Sequence, residues 1–426
     1  MTDITHYTYA EQVDSLIGTI PALDAGRTKA LTAFSKIGLP SKKDENWRYA
    51  DITNLRKSVY PAAQYSKHIS PDLKGDFSGK LVYVNGSLDE EQSFTLSELN
   101  DVRISHLSNL LAGNNNRADT LLSEGDGILL LNTALMREGF VLNIPAGVTI
   151  EKPILIHHVI GDAEVAALHL RHTIELGEGA SATIIESFSG DESSYWLNNV
   201  LQIRVSERSK LTHLRLLSDG NKATHTGKCF VDIDAHGSYE SFTVSTGGEM
   251  VRSESHVRIL GEKATAKLDC IALAAPEQTH DIFTHIDHAV PNAISDQMFR
   301  AVLAKKGKTA FQGKVIVRKD AQHTLADQAC NSILLDRTAE ANAKPELEIW
   351  ADDVKCSHGA TIGELDEKAL FYLTARGISP VNARAMLIEA FVAEVSDRLD
   401  SDSLIDIVNT NLRHWLNTYL RDPEDG

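Results

Sequence analysis

The run Ala351-Asp352-Asp353-Val354-Lys355-Cys356-Ser357-His358-Gly359-Ala360-Thr361-Ile362-Gly363 sets a thiol two residues from an imidazole. On an extended backbone, residues i and i+2 share a face. Cys356 and His358 are therefore expected to present sulfur and nitrogen toward one shared point. Thiolate and imidazole suit zinc, iron or an iron–sulfur cluster. Two ligands do not complete such a site, so the rest must come from elsewhere, including another chain. The competing reading is a buried cysteine beside a hydrogen-bonded histidine, neither of them a ligand.

Other residue groups point to weaker chemistry. Asp352-Asp353 would suit general acid and base work on an acidic polysaccharide, although adjacent residues on a strand face opposite sides. His280, His285 and His288, with Asp281 and Asp287, form the densest histidine group and are expected in a polar loop or interface. His157-His158 and His169-x-x-His172 read as ordinary strand residues. Gly307-Lys308-Thr309 offers the end of a phosphate-binding loop, but position 302, where the upstream glycine belongs, is Val302. Gly227-Lys228 fails likewise, with Lys222 upstream and Cys229 after it.

These residues need elements to position them. Alternating apolar runs dominate from about 127 to 350: Phe140-x-Leu142-x-Ile144, Leu201-x-Ile203-x-Val205, Val231-x-Ile233 and Val315-x-Val317. Period-two alternation predicts strands with one face in a core. Turn signals punctuate them at Gly147, Gly177-Glu178-Gly179, Ser206-Glu207-Arg208, Ala235-His236-Gly237 and Gly261-Glu262-Lys263, with starts 30, 29, 29 and 26 residues apart. A recurrence of this size suggests stacked strand–turn units, a β-solenoid. A jelly roll is the other architecture this texture allows.

Helical spacing brackets the strands. Val13, Leu16, Ile17 and Ile20, then Leu31, Phe34 and Ile37, predict N-terminal helices that stop at Gly38-Leu39-Pro40. Residues 50 to 125 are mixed. After the Cys356–His358 run, Asp366 is placed to cap a helix ending at Gly377, and Ser379-Pro380 to start another. Ala383, Met386, Leu387, Ala390 and Phe391 predict one buried stripe, and Leu404, Val408, Leu412, Trp415 and Tyr419 a second.

Composition bounds the partners. The chain has 426 residues, with 42 Lys plus Arg against 59 Asp plus Glu, a formal charge of −17. That balance disfavours nucleic acid and anionic membrane as partners. No apolar run approaches the ~18 residues of a membrane helix, and no signal-peptide pattern opens the sequence. Cys229, Cys270, Cys330 and Cys356 are scattered without a C-x-x-C pair, as expected of a reducing, cytoplasmic setting.

The run Cys356 to Gly363 resembles the C-terminal signature of the SufB/SufD family of iron–sulfur cluster assembly proteins. Its continuation, Leu365-Asp366-Glu367-Lys368-Ala369-Leu370-Phe371-Tyr372-Leu373 with Arg376-Gly377-Ile378, fits as well. Gly38-Leu39-Pro40 through Glu45-Asn46-Trp47-Arg48-Tyr49 resembles the N-terminal signature of the SufD branch. Ile144-Pro145-Ala146-Gly147-Val148 and Phe311-x-Gly313 also fit. The resemblance implies a mainly β fold: a right-handed parallel β-helix core between helical regions. Laid on this sequence, that gives an N-terminal helical or mixed region at 1–125, the core at 126–362 and a helical domain at 363–426.

The resemblance also implies a role. It makes the chain a non-catalytic scaffold subunit, pairing with a SufB-like paralogue, with a SufC-like ABC ATPase docked on the β-helix end and the C-terminal helices. Any ATP hydrolysis then belongs to the partner. His358, with Cys356, is implied to lie near the SufB–SufD interface and to help build a transient iron–sulfur cluster shared between subunits. A reduced flavin is attributed to such complexes, but no flavin motif is visible. A homodimer is the assembly expected of the isolated chain. SufB-like chains often carry clustered N-terminal cysteines, and here none precedes Cys229. Clusters need about four ligands, so one held by this subunit alone is short of thiols. Two other functions remain open: a β-solenoid enzyme of the secreted type acting on polysaccharides, and a purely structural interaction module with Cys356 and His358 inert.

Overall fold

A computed structural model of the chain describes residues 4–57, 60–64, 73, 75–95, 102–106, 125–162 and 165–420. Two mainly parallel sheets, one of eleven strands and one of nine, wind around each other as a β-solenoid of about eight turns. Consecutive long strands alternate between the sheets, and each pairs with the strand two further along the chain. In-register partners lie 26 residues apart at Thr224↔Met250 and 32 apart at Lys308↔Glu340. The recurring turns in the sequence are thus the corners of successive coils.

Each coil turns that corner through one residue in the left-handed backbone region: Gly179, Arg208, His236, Lys263, Asn292 and His323, with φ between 57° and 66°. For a non-glycine residue this conformation costs roughly 1–2 kcal/mol. The stacking offsets it. Arg208 N–H donates to the Ala235 carbonyl at 3.0 Å, His236 to Glu262 at 2.9 Å and Asn292 to Gln322 at 2.9 Å, one coil to the next.

Behind the corners runs an in-register ladder of branched aliphatics: Ile144, Leu176, Val205, Ile233 and Ile259. All are buried, each contributing about 1.5–3 kcal/mol. Close approach at the corners leaves no room for a side chain at Gly261, where a Cβ would sit 1.9 Å from the Ala235 backbone nitrogen. Gly261→Ala is expected to lower the urea midpoint by the equivalent of about 1–3 kcal/mol. An unchanged midpoint would contradict this corner packing.

Helices cover the outer sheet faces. Pro21–Ile37 and Gly127–Leu135, with the turn Glu45–Trp47, bury Ala30, Phe34, Leu131 and Trp47 against Ala167, Trp196 and Met250 of the nine-stranded sheet. Pro380–Ser396 and Asp402–Tyr419 bury Ile388, Val392, Leu404 and Trp415 against Leu214, Phe242, Ile271 and Val302 of the other sheet. Asp366 caps its helix through the Lys368 and Ala369 N–H groups, and the Ser379 hydroxyl accepts from Asn382 N–H.

Several sequence expectations are corrected here. The buried stripe of Pro380–Ser396 is Ala383, Ile388, Val392 and Val395, whereas Met386 is exposed. Apolar residues lie on more than one face of this helix, so spacing alone could not select the packed one. The group at His280, His285 and His288 is no loop: it lies in the strand Thr279–His288, with His280 and His288 buried. Gly307-Lys308-Thr309 leads into the strand Lys308–Val317, not a helix. Contacts cross residue 126 in both directions. The strand Gly79–Val84 already pairs with Ile154–Ile160 of the core, and the helix Gly127–Leu135 packs with the N-terminal helices. Among the described residues no helix is long and apolar enough to cross a membrane.

Arg398, just after Pro380–Ser396, fastens the C-terminal helices by donating to Asp269 at 2.9 Å and Asp296 at 2.7 Å. Burial pushes the Asp269 carboxyl up to about 6, against the pull of Arg398 and Lys267.

Candidate functional site

Cys356 and His358 lie on the last strand, Lys355–Gly363. It pairs with Leu325–Leu334 in the register Ala326↔Cys356 and Gln328↔His358. Along Leu325–Leu334 the buried positions are Ala326, Gln328, Cys330 and Ser332, which face the solenoid interior. Neighbours in register share a face, so Cys356, His358, Ala360 and Ile362 face the same way. Ser357 and Thr361 face outward, where they meet Asp327 at 2.5 Å and Asn331 at 2.5 Å.

No coil follows, and this decides the character of the site. Lys355–Gly363 ends one sheet and Glu340–Ile349 ends the other. Residues that would be core elsewhere are open to solvent: Ile349 is 41%, Ile362 48% and Trp350 63% exposed. His358 is exposed and Cys356 half-buried against Val354 and the interior core. Two free strand edges bearing apolar side chains are a ready template for pairing with another chain. Burial, with Asp327 nearby, raises the Cys356 thiol above its ordinary value, so at neutral pH it is protonated and a poor ligand until a metal displaces the proton. Asp352 and Asp353 are exposed in the turn before this strand, with Asp353 3.0 Å from His323 Nδ1.

A second cluster was invisible in the sequence. Ligand atoms of His158, His172 and Glu186 lie within 4.8 Å of one another, all fully buried. Its surroundings oppose a cation. His172 Nδ1 accepts the Phe140 N–H at 3.2 Å, so in the neutral ring Nε2 carries the proton and has no lone pair to give. Burial keeps that ring neutral, its pKa lowered to about 4. Arg215 Nε is 3.4 Å and His213 Nε2 3.5 Å from the Glu186 carboxylate. Burial works to raise that carboxyl, but His213 and Arg215 outweigh it and hold it well below the usual range. The charge is already balanced, and His158 is held between the rings of Tyr83 and Phe188. We read it as a buried polar group inside the solenoid, in which both His158 ring nitrogens, His172 Nε2 and Glu186 Oε2 lack hydrogen-bond partners.

The N-terminal motif Glu45-Asn46-Trp47 also has a place. The buried Trp47 ring lies under Arg252 at 4.7 Å and Lys228 at 5.8 Å. Gln312 donates to the Asn46 carbonyl at 3.2 Å, and Lys344 meets Glu45 at 2.8 Å. The motif docks the N-terminal region on the nine-stranded sheet.

Between the C-terminal helices lies an open groove of about 530 Å³, lined by residues including Val381, Met386, Glu389, Arg413 and Leu420. Its described lining offers no aromatic ring to stack on an isoalloxazine and no glycine turn to hold phosphate. It does not fit a flavin. The helix Glu367–Ala375 beside it buries none of its residues and leaves Phe371 73% and Tyr372 56% exposed.

The chain is thus a helix-flanked, two-sheet parallel β-solenoid protein whose last coil is open and bears a cysteine–histidine pair. Family models place it: the core domain of the SUF system FeS cluster assembly SufBD proteins matches residues 158–391, and the SufBD N-terminal region matches residues 5–156. The chain belongs to the SufBD family of iron–sulfur cluster assembly proteins. It is 28% identical to the iron–sulfur cluster assembly protein SufD of Escherichia coli over 383 residues, 88% of each chain. It is 33% identical over 393 residues to the chloroplastic protein ABCI7 of Arabidopsis thaliana, covering 88% of this chain and 82% of that one. A SufBD family protein of Synechocystis is 28% identical over 397 residues, 89% of this chain and 88% of its own.

Proposed function

We propose that this protein is a non-catalytic scaffold subunit of a SUF-type assembly complex. Its open coil pairs with a SufB-like paralogue, and its C-terminal helices with the adjoining β-helix end receive a SufC-like ABC ATPase. The observation that carries the reading is the position of His358: exposed, on the inward face of the last strand of its sheet, whose outer edge is free among the described residues, where a partner strand would bring further ligands beside it. The iron–sulfur cluster is cargo built at that shared edge, with His358 the main contributor and Cys356 an accessory one. Without the paralogue the same edges would pair with a second copy of this chain. The four unbridged cysteines support a reducing, cytoplasmic setting.

Ile362→Lys tests the edge. An unpaired charge buried in an interface costs about 3–5 kcal/mol, so affinity for the paralogue is expected to fall at least ~100-fold while the ATPase still co-purifies. Undiminished capture of the paralogue by the variant would remove the edge from the interface.

A further inference from the structure

Gln328 is a glutamine where the solenoid needs none. It is 3% exposed and faces the interior from the penultimate strand of its sheet, yet neither its amide nitrogen nor its amide oxygen meets a hydrogen-bonding protein atom. The residue in register on one side is Gln297, whose amide oxygen is taken by the Thr284 hydroxyl at 2.6 Å and whose amide nitrogen, like both polar atoms of Gln328, has no partner. The residue in register on the other side is His358. Parallel neighbours stand about 4.8 Å apart with side chains on one face, which puts the imidazole within reach of the amide. Across the interior the amide faces Gly313, where a Cβ would lie 2.6 Å from the Phe311 ring and 3.3 Å from Gln328 Nε2. This gives the Phe311-x-Gly313 motif a physical reason.

We propose that Gln328 is a positioning residue for His358, its amide oxygen accepting one imidazole N–H and so aiming the lone pair of the other nitrogen out of the open coil. This rests on the ligand role of His358 proposed above. In the free chain water competes for the exposed imidazole. Once a partner covers the end and water leaves, the orphaned amide is the hydrogen-bonding group directly beneath it. A neutral acceptor behind a ligating histidine fixes the tautomer and makes the metal-facing nitrogen more basic, and removing such a partner typically costs 10–100-fold in affinity or activity. Acceptance by Oε1 also leaves Nε2 turned toward the bare Gly313.

The test uses the complex co-purified with paralogue and ATPase, comparing wild type, Gln328→Leu, Gln328→Glu and His358→Ala. Cluster accumulation is read by visible absorbance and the His358 tautomer by ¹⁵N imidazole shifts. Gln328→Leu is expected to raise the thermal midpoint of the free chain, because it replaces a buried amide without partners by an apolar group. It should also cut cluster accumulation about tenfold and leave His358 a mixture of tautomers. Gln328→Glu, which keeps an acceptor, should restore a single tautomer. A structural role would instead lower the midpoint in Gln328→Leu. A drop in midpoint, or an unchanged tautomer with wild-type accumulation, would overturn the inference. Should His358→Ala itself accumulate cluster normally, the ligand reading falls and this inference with it. If His358→Ala fails while Gln328→Leu leaves the tautomer alone, only the positioning role falls.

Discussion

His358→Ala is expected to leave the chain folded and its complex assembled while cutting cluster formation by at least ~100-fold. Removing groups that merely orient a ligand costs about 10–100-fold, so removing the ligand should cost more. The fold gives little reason for a stability effect. The side chain is exposed and forms no hydrogen bond or ion pair among the described residues, and such substitutions usually shift stability by less than about 0.5 kcal/mol. Cys356→Ala sets the scale, since burial and Asp327 hold that thiol in its protonated, weakly ligating form; its loss should be the smaller of the two. Cluster yield in a purified three-component complex, normalised to subunit content, is the measurement. A normal yield from His358→Ala would end its assignment as a ligand, and a larger loss from Cys356→Ala would exchange the two roles.

Different parts of this arrangement were legible to different degrees, for physical reasons. Alternation exposes a strand when its inner face is uniformly apolar, as along Phe140-x-Leu142-x-Ile144. The coil corners announced themselves where glycine stood, at Gly179. They went unmarked at Asn292 and His323, because there the left-handed backbone is imposed by hydrogen bonds from the next coil rather than by local preference. The polar belt inside the solenoid was hidden. Glu186, Arg215 and Gln328 sit at inward positions, and a reader assigning polar residues to the outside misplaces all three. Only the register, with partners 26 to 32 residues apart, shows that Glu186 meets Arg215 and that Gln328 lies under His358. The C-terminal caps needed no such information, since Asp366 and Ser379 act within three residues of themselves.

Arg252→Ala should have the largest effect on stability, about 3–5 kcal/mol, because it strands the buried Asp281 carboxylate. The guanidinium is 1% exposed and donates to Glu254 at 3.0 Å and to Asp281, while its face packs on Trp47 at 4.7 Å and Phe283 at 5.1 Å. Lys228, itself buried, already answers to Glu254 and Asp126 and cannot replace the lost charge. Breaking such a network by removing one partner is far more costly than never having built it. The pH dependence distinguishes this account from simple loss of packing. In the intact protein burial works to raise the Glu254 carboxyl, but Lys228 and Arg252 outweigh it and hold it well below the usual range. That contribution is present above the unfolded carboxylate value of about 4.3 and is lost as pH falls through the folded one. Asp281 is already raised, burial outweighing Arg252. Without Arg252 the Asp281 carboxyl, already raised, is expected to rise further, while Lys228 and His256 still hold Glu254. At Asp281 the folded variant then holds more protons than the unfolded chain, so this contribution is greatest in acid and falls as pH rises through the folded value. Melting temperatures between pH 5 and 8 should decline with rising pH more steeply in Arg252→Ala than in the parent. Parallel curves would mean the loss is one of packing alone. Because Trp47 rests on this guanidinium, the Glu45–Trp47 turn should release before the solenoid unfolds, seen as early hydrogen exchange at its backbone amides.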